Sequence, residues 1–225
     1  WIEEMGDSEF AQARKMMVDC QIRPTKVTDS RVLDAFGAIP REAFVSRHQR
    51  AIAYIDEDLP VSGGRCMMEP MVLARMIQAL AVEADDNMLV VGCGTGYSAA
   101  ILARIVGSVI AIETRAQLVE KAQETLVATD VDNAVAIKGR LADGFVKEGP
   151  YDGILVEGSV EMIPGQLLEQ LTERGRLVTV WRPAGHPVGV ASQWSRAGDG
   201  YTRKPLFDAQ VPLLDEFRAK REFVF

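Results

Sequence analysis

The chain has 225 residues, of which 48% are hydrophobic, and it carries a formal net charge of −7 at neutral pH. This length and apolar content allow one sizeable core, whereas the negative charge disfavours a nucleic-acid surface, which depends on Lys and Arg at phosphates. The three cysteines form no CxxC or Cys/His cluster, and no run has the length of a membrane span, so we expect a cytoplasmic protein without a disulfide framework, a metal or a membrane partner.

The first predicted elements, over about residues 9–80, are mostly helical. Thr28 or Asp29 is placed to cap a helix in which apolar side chains share one face. These side chains are Val32, Leu33 and Phe36. Pro40 ends this helix and is predicted to open another over residues 40–53.

The second of these helices carries a basic cluster, which we interpret as a solvated face because no aromatic residues are interleaved with it. Its members are Arg41, Arg47, His48 and Arg50. After a turn at residues 62–64, Pro70 opens a helix with its apolar positions at Val72, Met76 and Leu80. We assign residues 1–80 to an N-terminal helical extension that packs on a main domain, residues 81–225.

From residue 87 onward, short apolar runs rich in β-branched residues alternate with helical segments. This alternation is typical of a parallel sheet that is covered on both faces. Residues 188–207 contain two further strand-like runs around a glycine-bearing turn, which indicates an antiparallel hairpin. The sequence therefore predicts an α/β fold: a Rossmann-like, doubly wound, mostly parallel sheet with a C-terminal hairpin.

A glycine-rich turn follows the first of these strands, in the segment LVVGCGTGY at residues 89–97. Gly92, Gly94 and Gly96 have the spacing G-x-G-x-G, whereas a dinucleotide site has G-x-G-x-x-G, and the sixth position here is Tyr97. The spacing favours a smaller adenosyl ligand with an amino-acid tail along the glycines. We assign Cys93 and Tyr97 to the cofactor site as well, with Cys93 as a packing residue, because nothing nearby in the sequence activates it as a nucleophile.

Two acidic positions after the next strands fit the same ligand. Glu113 lies 21 positions after Gly92, where a carboxylate with the adjoining Thr114 accepts ribose hydroxyls. Asp143 and Gly144 follow the third strand, where an acceptor binds an adenine amino group. Together with the terminal hairpin, this order predicts an S-adenosylmethionine site rather than a nicotinamide site.

Beyond the cofactor turn, the sequence resembles the protein-L-isoaspartate O-methyltransferase family. The resemblance rests on DSRVLDAFGAIPREAFV, AYIDEDLPV, PYDGILVEGSVEMIP and DAQVPLL, and it extends from about residue 23 to residue 214. It implies a class I methyltransferase that uses S-adenosylmethionine to esterify a carboxylate of isoaspartyl residues in damaged proteins. It also implies that the three glycines line the methionine moiety, Glu113 the ribose, and Asp143 and Gly144 the adenine.

The sequence departs from the family pattern at two places. Val90 stands where the first strand of the family has an acidic residue, and the loop at residues 64–70 has Cys66 and Met68 where the family has Thr and Ser. We assign Cys66 and Met68 to the catalytic part of the site and expect an apolar wall in place of an orienting hydrogen bond. Arg65 is expected to face solvent, with a substrate carboxylate as its alternative partner.

Glu157, at the carboxyl end of the fourth strand, is the third residue assigned to catalysis. Ligands bind at this edge of open parallel sheets. Glu157 would repel a carboxylate acceptor, would hold or deprotonate an amine or alcohol, or would lie at the rim in water. His186, in the loop after Trp181, is a further candidate base or a solvated loop residue.

Several functions remain open from the sequence. The leading one is a methyltransferase acting on damaged aspartyl carboxylates of a protein or peptide. The altered loop also fits a methyltransferase with another acceptor, either a small molecule or a modified peptide. A nicotinamide-dependent oxidoreductase and a non-catalytic S-adenosylmethionine-binding relative are the remaining alternatives.

Overall fold

The computed structural model describes residues 6–219. Its α-helices are α1 (Asp7–Met17), α2 (Ser30–Ala38), α3 (Pro70–Leu80), α4 (Tyr97–Ala103), α5 (Ala116–Ala128) and α6 (Gly165–Leu168). Its strands are β1 (Leu59–Pro60), β2 (Cys66–Met67), β3 (Asn87–Val91), β4 (Ser108–Glu113), β5 (Ala134–Lys138), β6 (Tyr151–Val160), β7 (Leu171–Trp181), β8 (Gly189–Ala197) and β9 (Gly200–Ala209).

Seven strands form one sheet in the order β5-β4-β3-β6-β7-β8-β9. The first five are parallel to one another, and β8 and β9 are added antiparallel at the edge beside β7. The predicted mostly parallel sheet with a C-terminal hairpin is confirmed. The order of the strands places the carboxyl end of β3 between those of β4 and β6, so groups that follow these three strands lie at one edge.

The helix α2 begins as predicted, with the Asp29 side chain accepting a hydrogen bond from the amide of Arg31. The predicted helix over residues 40–53 is wrong. Two short 3₁₀-helices, Arg41–Phe44 and Arg47–Ile52, replace it because the residues between them adopt extended backbone conformations. The change of direction turns Arg41 into the core, so the basic cluster is not one solvated face, although Arg47, His48 and Arg50 are exposed.

Apolar side chains cover both faces of the sheet. The larger hydrophobic cluster joins the N-terminal helices to α3, α4 and one face of the sheet. The second cluster lies between the other face, α6 and residues 210–219 after β9, here called the C-terminal segment. The larger cluster contains residues from both sides of position 80. The assignment of residues 1–80 to an extension and of residues 81–225 to a main domain therefore stays a prediction. Residues 1–5 and 220–225 of these two ranges lie outside the described residues. No helix within residues 6–219 combines the length and apolar character needed to cross a membrane.

Candidate functional site

The glycine turn joins β3 to α4 at the carboxyl edge of the sheet. Gly92, Gly94 and Gly96 all have positive φ angles, of 81°, 52° and 92°, which other residues adopt only at a cost. A Cβ atom on Gly96 would also lie 3.2 Å from the Cβ atom of Ala122 on α5. The backbone of the turn and its packing on the neighbouring helix therefore both require glycine.

Cys93 and Tyr97, the other residues assigned to this turn, are both buried. Cys93 is 2% exposed, and burial raises the pKa of its thiol, which agrees with a packing role. The Tyr97 ring packs edge-on against Phe36 and Phe44 and lies under the guanidinium of Arg41. The side chain of Tyr97 thus fastens α4 to the N-terminal helices.

Glu113 ends β4 and is fully buried. One carboxylate oxygen accepts hydrogen bonds from the amide and the hydroxyl of Thr114, at 2.7 and 3.0 Å. Both oxygens also accept from Arg65, whose Nε lies 3.0 Å from Oε2 and whose Nη2 lies 3.1 Å from Oε1. The expectation of a solvent-facing Arg65 is wrong, because its burial at 6% exposure is compensated by ion pairs with Glu113 and Glu216.

Asp143 and Gly144 follow β5, at the same edge of the sheet. Asp143 lies in a short 3₁₀ turn, and its exposed carboxylate accepts a hydrogen bond from Nε2 of Gln166 at 3.1 Å. A Cβ atom on Gly144 would lie 2.4 Å from Nε2 of Gln170. The structure thus brings the glycine turn, Glu113 and Asp143 to the ends of three neighbouring strands.

The loop with the altered family positions covers this edge. Cys66 pairs with Pro60 in the small β1–β2 sheet, is partly buried, and has a thiol pKa raised by burial. Met68 is fully buried in the larger hydrophobic cluster. Its side chain therefore forms part of the core in this arrangement, and its backbone carbonyl accepts a hydrogen bond from Arg41 at 2.8 Å.

Arg41 holds the loop through the backbone carbonyl of Met68, a role that the sequence did not predict. Its side chain is fully buried, where Nε donates to the carbonyl of Ala53 at 2.7 Å and Nη2 donates to that of Met68. Burial lowers the pKa of this guanidinium. A single arginine gives no sequence signal for such a position, although the apolar residues Ile39, Phe44 and Val45 around it indicate a nearby core.

Glu157 lies at an irregularity in β6, where the pairing with β7 shifts between Leu155 and Ser159. Such a bulge changes the direction of side chains. Glu157 is 7% exposed and accepts a short hydrogen bond from the hydroxyl of Ser98. Burial raises the pKa of Glu157 to about 8, so its carboxyl group is mostly protonated at pH 7. The alternative of a rim glutamate in water is wrong.

An acidic cleft of about 600 Å³ lies beside the loop at residues 64–70. It is lined by Glu57, Asp58, Glu69, Arg182 and residues 210–212. Asp58 accepts a hydrogen bond from the amide of Glu69 at 2.8 Å. Burial, followed by the charge of Asp58, raises the pKa of Glu69 to about 7. His186 is exposed in its loop.

The residues at the edge fit an adenosyl ligand in kind, since they combine a positive-φ glycine turn with buried and exposed carboxylate acceptors. Their present neighbours belong to the chain itself. Cβ atoms on Gly92 and Gly94 would lie 3.6 and 3.7 Å from the side chains of Leu214 and Val61, and both oxygens of Glu113 bind Arg65. The protein groups that fit the ligand therefore lie together, but side chains of the chain itself cover them.

Comparison with known proteins gives a consistent family. A family model described as protein-L-isoaspartate(D-aspartate) O-methyltransferase matches residues 12–205. A protein-L-isoaspartate O-methyltransferase from Roseiflexus sp. (strain RS-1) is 36% identical over 92% of this chain and 94% of its own length. Another from Methylorubrum extorquens (strain PA1) is 42% identical over 80% of this chain and 77% of its own length.

Two solved structures show the same fold. One, of a protein-L-isoaspartate O-methyltransferase, matches with a TM-score of 0.80 at 22% identity; the match covers 89% of this chain and 65% of that one. The other, of a putative protein-L-isoaspartate O-methyltransferase from Plasmodium falciparum in complex with S-adenosyl-L-homocysteine, has a TM-score of 0.75 at 20% identity. That match covers 92% of this chain and 98% of the other.

Proposed function

The chain belongs to the protein-L-isoaspartate(D-aspartate) O-methyltransferase family, and on that basis we propose that it is an S-adenosylmethionine-dependent O-methyltransferase. Its acceptor is a carboxylate of damaged aspartyl residues in proteins. The observation that carries the proposal is the set of three positive-φ glycines at the end of β3, with Glu113 at the end of the adjacent β4 and Asp143 in the turn after β5, the next strand of the sheet. The family match disfavours the nicotinamide-dependent oxidoreductase.

The cofactor part of the proposal assigns one role to each strand end. Gly92, Gly94 and Gly96 line the methionine moiety, Glu113 with Thr114 accepts the ribose hydroxyls, and Asp143 with Gly144 holds the adenine. When bound, S-adenosylmethionine supplies a methyl group on a positively charged sulfur. Glycines at the turn leave room for the backbone to approach the ligand closely, and a carboxylate is the strongest acceptor a protein has for two hydroxyls.

The acceptor part of the proposal involves Cys66, Met68 and Glu157. A carboxylate acceptor is ionised at pH 7 and needs no general base, so these residues contribute by positioning it and excluding water. Cys66 and Met68 provide less hydrogen bonding than the hydroxyls that the family has there. A protonated Glu157 does not repel the acceptor, which supports a carboxylate substrate at neutral pH.

The acidic cleft beside the loop is where we place the peptide chain around the target residue. Its three acidic side chains, Glu57, Asp58 and the partly protonated Glu69, favour peptides with Lys or Arg near the damaged residue. We further propose a cytoplasmic protein without a nucleic-acid partner. The free cysteines Cys20, Cys66 and Cys93 and the net charge of −7 support this.

Calorimetric titration and methyl transfer test the proposal together. We expect binding of S-adenosylmethionine and S-adenosylhomocysteine without a response to NAD or NADP. We also expect labelled methyl groups to enter an isoaspartyl peptide with flanking lysines and not its aspartyl counterpart. Preferential NAD binding, or equal labelling of the two peptides, would overturn the proposal.

A further inference from the structure

Arg65 binds the side chain of Glu113, the residue that we propose accepts the ribose hydroxyls. Its Nε and Nη2 atoms donate to the two oxygens of Glu113 at 3.0 and 3.1 Å, in the planar two-bond geometry that a guanidinium forms with a carboxylate. Both partners are buried, with side-chain exposures of 5% and 0%. Such a pair is held firmly, because separating it leaves a charge in a site with little water.

A second carboxylate holds the same guanidinium from the C-terminal segment. Glu216 lies in a short 3₁₀-helix, Asp215–Phe217, and accepts from Nη1 and Nη2 of Arg65 at 3.2 and 2.7 Å. Leu214 beside it packs close to Gly92 and Gly158. The loop and the C-terminal segment are thus joined to each other and to Glu113 over the glycine turn.

We propose that Arg65, Glu113 and Glu216 form a latch that closes the cofactor site, and that cofactor binding requires Arg65 to leave Glu113. The inference rests on the proposed function, because the ligand that competes with Arg65 is the ribose of S-adenosylmethionine. Oε1 of Glu113 already accepts from the amide and the hydroxyl of Thr114, so two ribose hydroxyls and the guanidinium compete for the acceptor positions that remain on this carboxylate. The chain therefore binds cofactor only in the fraction of molecules in which the latch is open.

The latch predicts a measurable coupling between a C-terminal residue and cofactor affinity. The apparent dissociation constant equals the intrinsic one divided by the open fraction, so weakening the closed state tightens binding. Arg65→Met removes the competitor but leaves Glu113 buried without its cation, which threatens folding. Glu216→Gln is the better variant, because Glu216 is partly exposed and the Arg65–Glu113 pair stays neutral as a unit.

Two readouts on the full chain test the latch, one of them independent of cofactor. We expect Glu216→Gln to tighten S-adenosylhomocysteine binding about tenfold, the effect of losing one charge-assisted interaction from the closed state. We also expect faster thiol modification of Cys93, which is buried in the covered turn, as read by mass spectrometry of its peptide. The exposed Cys20 provides the internal reference.

Asp215→Asn is the matched control, since it removes the neighbouring carboxylate, which pairs with Arg218 on the surface and does not contact the latch. Equal Cys93 modification in the two variants and the unaltered chain overturns the latch alone. Faster modification with unchanged affinity overturns the competition at Glu113. Faster modification with no binding by any of the three proteins overturns the proposed function, and the competition with it.

Discussion

Two buried glutamates on either side of the glycine turn are held in opposite ways. Glu113, after β4, is in a two-bond ion pair with Arg65, whereas Glu157, in β6, accepts a hydrogen bond from Ser98 and has a pKa raised to about 8. Their burial is nearly equal. At similar depth, the two carboxyl groups therefore have different environments, one beside a cation and one beside a hydroxyl. The proposed cofactor side thus holds an ion pair, and the raised pKa of Glu157 leaves the proposed acceptor side close to neutral at pH 7.

The largest effect expected is from breaking the charged side. Glu113→Ala removes the two charge-assisted hydrogen bonds that we propose between this carboxylate and the ribose, each worth about 1.5–3 kcal/mol, so we expect cofactor affinity to fall roughly a hundredfold or more. Asp143→Ala removes the one adenine contact that we propose for an exposed carboxylate, and we expect it to cost less. Calorimetric titration of both variants with S-adenosylhomocysteine gives the ranking. Equal losses, or a larger loss in Asp143→Ala, would contradict it.

The next effect concerns the acceptor side. Met68→Ser returns a hydroxyl to the position where the family has one, and we expect methylation of an isoaspartyl peptide to rise roughly ten- to a hundredfold, the value of one hydrogen bond to a charged group. Removing a buried methionine side chain also costs about 2–5 kcal/mol of stability, so rates are taken per folded molecule.

Met67→Ser is the control for this change, since it also truncates a buried methionine of the loop but places its hydroxyl one position away. Methyl incorporation is measured for both variants and for the unaltered chain. An unchanged or lower rate in Met68→Ser would show that the missing hydroxyl does not limit the reaction.

A smaller effect sharpens the contrast through pH. A carboxyl group with a raised pKa stabilises the fold fully below its unfolded pKa, near 4.5, and this contribution is lost as pH rises through the folded value, about 8. Between pH 6 and pH 8 the loss from Glu157 is about 2 kcal/mol. Urea unfolding at pH 6, 7 and 8 should show this decline in the unaltered chain and a flatter profile in Glu157→Gln. Parallel profiles would mean that Glu157 is ionised throughout.

The sequence predicted what is local and periodic. The strands from β3 to β9 and the helices α2, α3 and α5 follow from apolar spacing, and the cap of α2 is Asp29, one of the two residues predicted for it. The prediction of one helix over residues 40–53 is wrong, because the apolar spacing there is compatible with one helix, whereas two residues with extended backbone divide the segment. The predicted exposure of Arg41 is wrong for a related reason. A charged residue is assigned to the surface from sequence, and its burial depends on the path of the backbone.

The site was predicted in its positions and not in its contacts. The glycine turn and Glu113 could be located because they follow strands, and parallel strands align their ends. The partners could not be located, since Arg65 lies 48 residues before Glu113 in the chain and Glu216 lies 151 residues after Arg65. The burial of Glu157 likewise depends on a bulge in β6, which the apolar pattern of that strand does not reveal.

The separation of Arg65 and Glu216 along the chain also has a consequence for synthesis. At about 5–20 residues per second, roughly 8–30 s separate the translation of Arg65 from that of Glu216. Once Glu113 has been translated, the nascent chain contains the glycine turn and Glu113 but not yet Glu216, which joins the cover of this edge. The contacts that Glu216 makes over the turn therefore form only after this delay, and until then Arg65 can pair only with Glu113.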